Sequence, residues 1–111
     1  MFKDDEVRLK HMLDASYDAI SFAKDKQRSD LDKDRMLLLS LVKAIEIIGE
    51  AASKITNEFK AKYSNIRWQS IVGMRNRLIH AYFDVNHDTV WDTVKNEIPK
   101  LVTELEKIVK G

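Results

Sequence analysis

From Leu31 to about Asn57 the chain carries apolar residues on nearly every side of a helical wheel: Met36, Leu37, Leu38, Leu39, Leu41, Val42, Ala44, Ile45, Ile47, Ile48, Ala51, Ala52 and Ile55. A helix that is apolar all round has to be covered all round. The rest of the chain must therefore wrap it. In a domain of 111 residues the chain's own partners cannot cover every face, so a homodimer built on this helix is expected. The alternative is a simply central helix in a monomer.

The flanking segments supply the wrapping. Residues 4 to 25 repeat Leu9, Met12, Leu13, Ser16, Tyr17, Ile20 and Ala23 at three- and four-residue steps, a single helical stripe with Asp4 and Asp5 suited to its cap. Ser29 or Asp30 can cap the central helix. Residues 59 to 65 read as a polar connection, and a third helix is predicted from about Ile66 to Phe83. A fourth, capped by Asp88 and Thr89, should run from about 89 to 109 with Pro99 as an internal kink. Three Gly and one Pro, well below the average usage of roughly 7% and 5%, argue against a barrel or sandwich rich in tight turns. The expected fold is all-α: one domain over residues 1–111, an antiparallel four-helix up-down bundle with the second helix central and at a dimer interface.

Composition narrows the chemistry. With no Cys, disulfide scaffolds, thiol nucleophiles and sulfur-ligated zinc sites are excluded. The longest uninterrupted apolar run, Met36 to Leu39, is far short of the ~18 to 20 residues that span a bilayer. The first residues lack the cationic start and apolar stretch of a secretory signal, so a soluble cytoplasmic protein without a membrane partner is expected.

The net charge of +1 conceals an uneven distribution. Residues 1–35 hold 8 basic and 9 acidic side chains, whereas 59–83 hold Lys60, Lys62, Arg67, Arg75 and Arg77 and no acid. A local positive field of that kind suits a phosphate-bearing partner; ordinary solvated surface is the plainer reading.

On a wheel of about 100° per residue, Ile71, Met74, Leu78 and Ala81 form a core stripe on the third helix. Arg75, Asn76, His80 and Tyr82 fall on the other side, over a sector of about 160°. That is wide for one cluster, unless the last turn unwinds near His80 or two copies of the helix meet across a dimer axis. The residue types suit metal-free RNA cleavage. A His near its ordinary pKa of about 6.5 can take the proton of a ribose 2′-hydroxyl, and an Arg can hold the phosphate and stabilise its growing charge. Three scattered histidines, His11, His80 and His87, make a metal hydrolase a poor alternative.

The run Ile71-Val72-Gly73-Met74-Arg75-Asn76-Arg77-Leu78-Ile79-His80-Ala81-Tyr82-Phe83, with Glu46-Ile47-Ile48-Gly49-Glu50-Ala51-Ala52 upstream and Trp91 downstream, resembles the HepT-like toxins of the HEPN superfamily. These are bacterial and archaeal helical proteins with an Arg-x4-His-x-Tyr motif. The resemblance spans almost the whole chain and implies a HEPN-like fold. It further implies a dimeric, metal-independent endoribonuclease without cofactor, the toxin of a type VII toxin–antitoxin pair that an adjacent MntA-type nucleotidyltransferase neutralises. By position, Arg75 and His80 are then the catalytic pair and Asn76 a supporting residue. Tyr82 is the acceptor of AMP from ATP. Glu50 is assigned to support the pair by orienting Arg75 or His80 across the dimer, Glu46 being the other candidate, and Arg67 and Arg77 to binding RNA. Other readings stay open for each: Tyr82 as a boundary aromatic, the glutamates as a solvated flank, and the whole chain as a non-catalytic RNA- or nucleotide-binding module or a docking module for the nucleotidyltransferase. Relatives often carry Pro where Arg67 stands. Gly49 and Gly73 are expected to mark close approaches of helices, and His87 to be a surface residue.

Overall fold

The computed structural model describes residues 2–81 and 84–110. The chain folds as a helical bundle built on three long rods. The first, α1 (Lys3–Ala23), packs extensively on α3 (Arg35–Ser53). The third rod is a near-continuous helical stretch of α6 (His87–Asp92), a π-helical segment (Thr93–Glu97) and α7 (Ile98–Lys110). Short elements fill the remaining side: α2 (Asp30–Lys33), α4 (Asn57–Lys62) and α5 (Trp68–Val72), then a 3-10 turn (Asn76–Leu78) and an antiparallel ribbon of β1 (Ile79–Ala81) and β2 (Asp84–Val85).

The core holds most of the expected apolar residues, although Tyr17 and Ile20 of the first stripe are exposed and Phe59, read as part of a polar connection, is buried. Leu41, Ile45, Ile48 and Ala52 of α3 are fully buried against Leu9, Met12 and Ala19 of α1 and Val90, Val94, Ile98 and Leu105 of the third rod. The all-round apolar helix is thus covered on most of its circumference, but Met36, Leu39 and Ile47 remain exposed. Together with Phe22 of α1, Leu39 and Ile47 line an open groove of about 410 Å³ between the two rods.

Several helix ends differ from the sequence reading, each for a local reason. The central helix does not run from 31 to 57. Asp34 is extended and its carboxylate accepts from the Leu37 N–H at 3.1 Å, so the chain breaks there and α3 starts afresh on a favourable cap. Asp5 does not cap α1. It is buried and accepts from Thr56 N–H and Oγ1–H at 2.8 and 2.7 Å, fastening the start of α1 to the end of α3. Thr56 in turn caps α4 through Phe59 N–H. Residues expected as a polar connection form that helix, because Phe59 buries itself in an aromatic cluster with Phe2, Tyr63 and Trp68. Asn86, rather than Asp88 or Thr89, caps the third rod by accepting from Thr89 N–H at 3.0 Å. The π segment directly precedes Ile98-Pro99, where the missing proline N–H interrupts α-helical bonding.

The largest departure is the third helix. It is helical only over α5. No wheel drawn through 66–83 therefore describes the geometry beyond Val72, and the 160° sector does not exist.

Candidate functional site

The segment from Trp68 to Leu78 is pinned by buried apolar side chains and carries exposed polar ones. Ile71, Met74 and Leu78 of the expected core stripe are buried, as is Trp68, while Arg75, Asn76 and Arg77 are exposed; the side chain of Ala81, the fourth residue of that stripe, lies outside the description. The Trp68 indole N–H donates to the Tyr63 carbonyl at 3.1 Å. Arg67 precedes α5 with φ −83°, near the range a proline ring imposes.

Gly49 lets α3 press on the end of α5. A Cβ there would stand 3.3 Å from the Val72 carbonyl oxygen and 3.4 Å from that of Ile71. Gly73 has no such neighbour: a Cβ would meet only the Gln69 and Ser70 carbonyls of its own turn, so its expected helix-to-helix contact is absent. The close approach at Gly49 sets the chain down beside Glu46, one turn earlier on the same face of α3. Arg75 Nε–H donates to Glu46 Oε1 at 3.0 Å. Half of the Arg75 side chain stays exposed. Glu50 is not the residue that meets Arg75 within the chain. It pairs with Lys54 at 3.6 Å, largely exposed, beside Arg8 and His11.

Arg77 turns the other way. Its Nη2 donates to the Ser70 carbonyl at 3.1 Å and lies 3.4 Å from Glu97 Oε1 on the third rod. Arg75 and Arg77 therefore flank the exposed Asn76, one leaning on α3 and the other on the π segment.

His80 is on β1, not on a helix. Pairing runs Ile79 to Val85 and then Ala81 to Asp84, so the register slips by one residue across His80. This is a β-bulge, a device that re-aims a side chain and recurs beside active sites. The ribbon is closed by the Asn86 N–H donating to the Leu78 carbonyl at 2.7 Å. Tyr82 lies outside the described residues.

The first residue after Asn86 carries a contact that its reading as a plain surface histidine missed. His87 Nδ1 is 2.7 Å from Asp32 Oδ1, and Arg28 bridges Asp32 and Asp88. The paired His87 and Arg28 hold the Asp32 carboxyl below the ordinary carboxylate range. The exit of the ribbon is thereby tied to the turn between α1 and α3. Only the i,i+4 pair of Arg28 and Asp32 was visible in sequence; the other partners are more than fifty residues apart.

Among the described residues no group of three or more His, Asp or Glu side chains is placed to hold a metal ion, and no helix is long and apolar enough to cross a membrane.

Comparison with known proteins agrees with the family resemblance. The chain is 36% identical over 104 residues to "Putative RNase MJ1380" of Methanocaldococcus jannaschii, covering 94% of this chain and 95% of that one. It is 38% identical over 102 residues to "Putative RNase TTE0752" of Caldanaerobacter subterraneus, covering 92% and 91%. With "Probable ribonuclease HepT" of Thermococcus cleftensis it shares 43% over 77 residues, 69% of this chain and 70% of that one. No solved structure matches the chain. The sequence pattern described as "Ribonuclease HepT-like" matches residues 12–108, and the chain belongs to that family.

Proposed function

We propose that this chain is a metal-independent endoribonuclease in which Arg75 holds the scissile phosphate and His80 moves the proton. The observation that carries this reading is one short segment: Arg75 beside Glu46 at one end and His80 on a backbone bulge at the other, with a buried Leu78 between them. In the first step His80 takes the 2′-hydroxyl proton, the 2′-oxygen attacks phosphorus, and the P–O5′ bond breaks with the 5′-oxygen taking a proton from water, giving a 2′,3′-cyclic phosphate; the His80 proton then returns to solvent. The Arg75 guanidinium stabilises the charge that builds on the phosphoryl oxygens. Glu46 keeps Arg75 aimed until phosphate competes for it, and Asn76 offers a neighbouring amide to the same oxygens. DNA lacks the attacking hydroxyl and is spared.

The exposed Phe22, Leu39, Ile47 and Met36 support a homodimer across the α1/α3 face. Glu46 is on the edge of that face, so a dimer would bring two Arg75 segments toward one cleft. Glu50 then serves across the interface and Arg77 docks the RNA backbone. In the cell the chain would act in the cytoplasm as the toxin of a type VII pair. Its MntA-type nucleotidyltransferase partner would transfer AMP from ATP to Tyr82, the phenolic oxygen displacing pyrophosphate. The adenylate phosphate, two residues from His80, would compete for Arg75 and repel RNA.

His80→Ala should slow cleavage of RNA by about 10²- to 10⁴-fold while leaving the helical circular dichroism unchanged. Cleavage at the parent rate rejects the assignment. Retention of RNA without turnover by the unaltered protein would favour a non-catalytic binding module. Incubation with the nucleotidyltransferase and ATP should add AMP mass at Tyr82, and mass on another residue ends the switch reading.

A further inference from the structure

On the side of α5 away from Glu46, a cleft of about 360 Å³ opens between α5 and the third rod. That is within the ~300–1,000 Å³ range of small-ligand sites. Its floor is apolar and buried: Ile66, Ile71, Met74 and Leu101. Its rim carries Arg67 and Lys100, both exposed, and neither side chain forms a hydrogen bond or ion pair among the described residues. The two carboxylates at the cleft are already engaged. Glu97 faces Arg77 at 3.4 Å, and Glu104 accepts from Asn65 at 2.9 Å and meets Lys107 at 3.9 Å. The local balance is therefore two unspent cations around an apolar slot.

The slot continues the proposed active segment. Met74 lines it and is the residue before Arg75, while Arg77 spans from the Ser70 carbonyl at the cleft to Glu97. Glu97, which Arg77 meets, lines the cleft together with Arg67 and Lys100.

We propose that this cleft is a nucleotide subsite for single-stranded RNA, with one base on the Ile66–Ile71–Leu101 floor and flanking phosphates on Arg67 and Lys100. A flat base and an adjacent anion match an apolar slot rimmed by cations, and the planar guanidinium of Arg67 is itself a stacking surface. Duplex RNA keeps its bases stacked and paired, so it is a poor occupant. The inference rests on the ribonuclease reading and names where its substrate continues beyond the scissile phosphate. Lys100 is its new residue.

The test uses binding and turnover separately. With the full chain carrying His80→Ala, a fluorescein-labelled single-stranded oligoribonucleotide of about twelve nucleotides is titrated at several salt concentrations. Adding Arg67→Ala and Lys100→Ala should raise Kd about tenfold and reduce the slope of log Kd against log salt by about 1.4, the release from two phosphate contacts. Lys26→Ala, in the turn after α1, should change neither. In the cleaving protein the same pair should raise KM and leave kcat within about twofold. A 4-thiouridine photocrosslink should map to peptides 66–71 or 97–104. Unchanged affinity and slope, an equal effect of Lys26→Ala, or crosslinks confined to other peptides overturns the subsite. If the unaltered protein cuts no RNA but the affinity loss and the crosslinks appear as expected, the ribonuclease reading fails and the subsite stands.

Discussion

The α1/α3 pair and the segment from Trp68 to Asn86 carry the same kind of sequence signal and fold differently. Both repeat apolar residues at three- and four-residue steps. In the pair the repeat becomes two rods of 21 and 19 residues. In the segment it becomes a five-residue helix, a 3-10 turn and a bulged ribbon. Yet Ile71, Met74 and Leu78 are as deeply buried as the α3 core. Apolar spacing therefore reports which residues face inward, and helical continuity is settled by where the backbone finds its hydrogen bonds. In the interior of α3 the carbonyls bond four residues on, whereas the Leu78 carbonyl takes the Asn86 N–H instead. The segment that carries the candidate site is the one whose backbone bonds are least local.

The sharpest way to break the comparison is to empty each core in turn. Ile48→Ala and Leu78→Ala both truncate fully buried side chains and should each cost about 2–5 kcal/mol in urea unfolding. If the two regions share one core, both variants unfold in a single transition with coincident fluorescence and circular dichroism. A separate early transition in Leu78→Ala would mark the segment as an independent unit. Next in size is Gly49→Val, which thrusts a branched side chain at the Val72 carbonyl and should cost about 1–3 kcal/mol. Because the displaced residues lead directly into Arg75, cleavage should fall further than the lost stability explains at temperatures where the variant is still folded. Equal activity per folded molecule would show that the close approach serves packing alone.

The smallest effect concerns the tie between the ribbon and the α2 turn. Asp32 is held low first by His87 and then by Arg28, so its contribution is present above the unfolded Asp value of about 3.9 and is lost as pH falls through the folded value below it. Asp32→Asn should be slightly less stable than the parent at pH 7, and the gap should close as pH drops below about 4. Exposed pairs contribute modestly, so chemical denaturation of both proteins across that range is the suitable measurement. A gap that stays constant with pH would mean that Asp32 acts through its shape.

Much of the architecture was legible because it follows from burial. The three rods, the core of α3 and the unfilled apolar face at Leu39 and Ile47 come directly from apolar spacing. The breaks were less legible. Asp34 and Asn86 are good caps in any sequence, but whether a cap is used depends on what the following residues can pack against. The site was half legible. Arg75 and His80 stood out by motif, and Glu46 had a signal in retrospect, sharing a helix face with the glycine that brings α5 close. The bulge at His80 had none, since a register slip arises from the pairing of two strands and neither shows it alone. Lys100 and Arg67 are 33 positions apart, and only the packing of α5 on the third rod puts them at one cleft.

By itself, then, the sequence determined the helical class, most of the central core and the family, because each depends on side-chain chemistry repeated along the chain. The tertiary structure decided which glutamate meets Arg75, how the backbone turns at His80 and which cations stand together. Those are contacts between residues far apart in sequence, selected by the few backbone paths that satisfy both the buried apolar groups and the displaced hydrogen bonds.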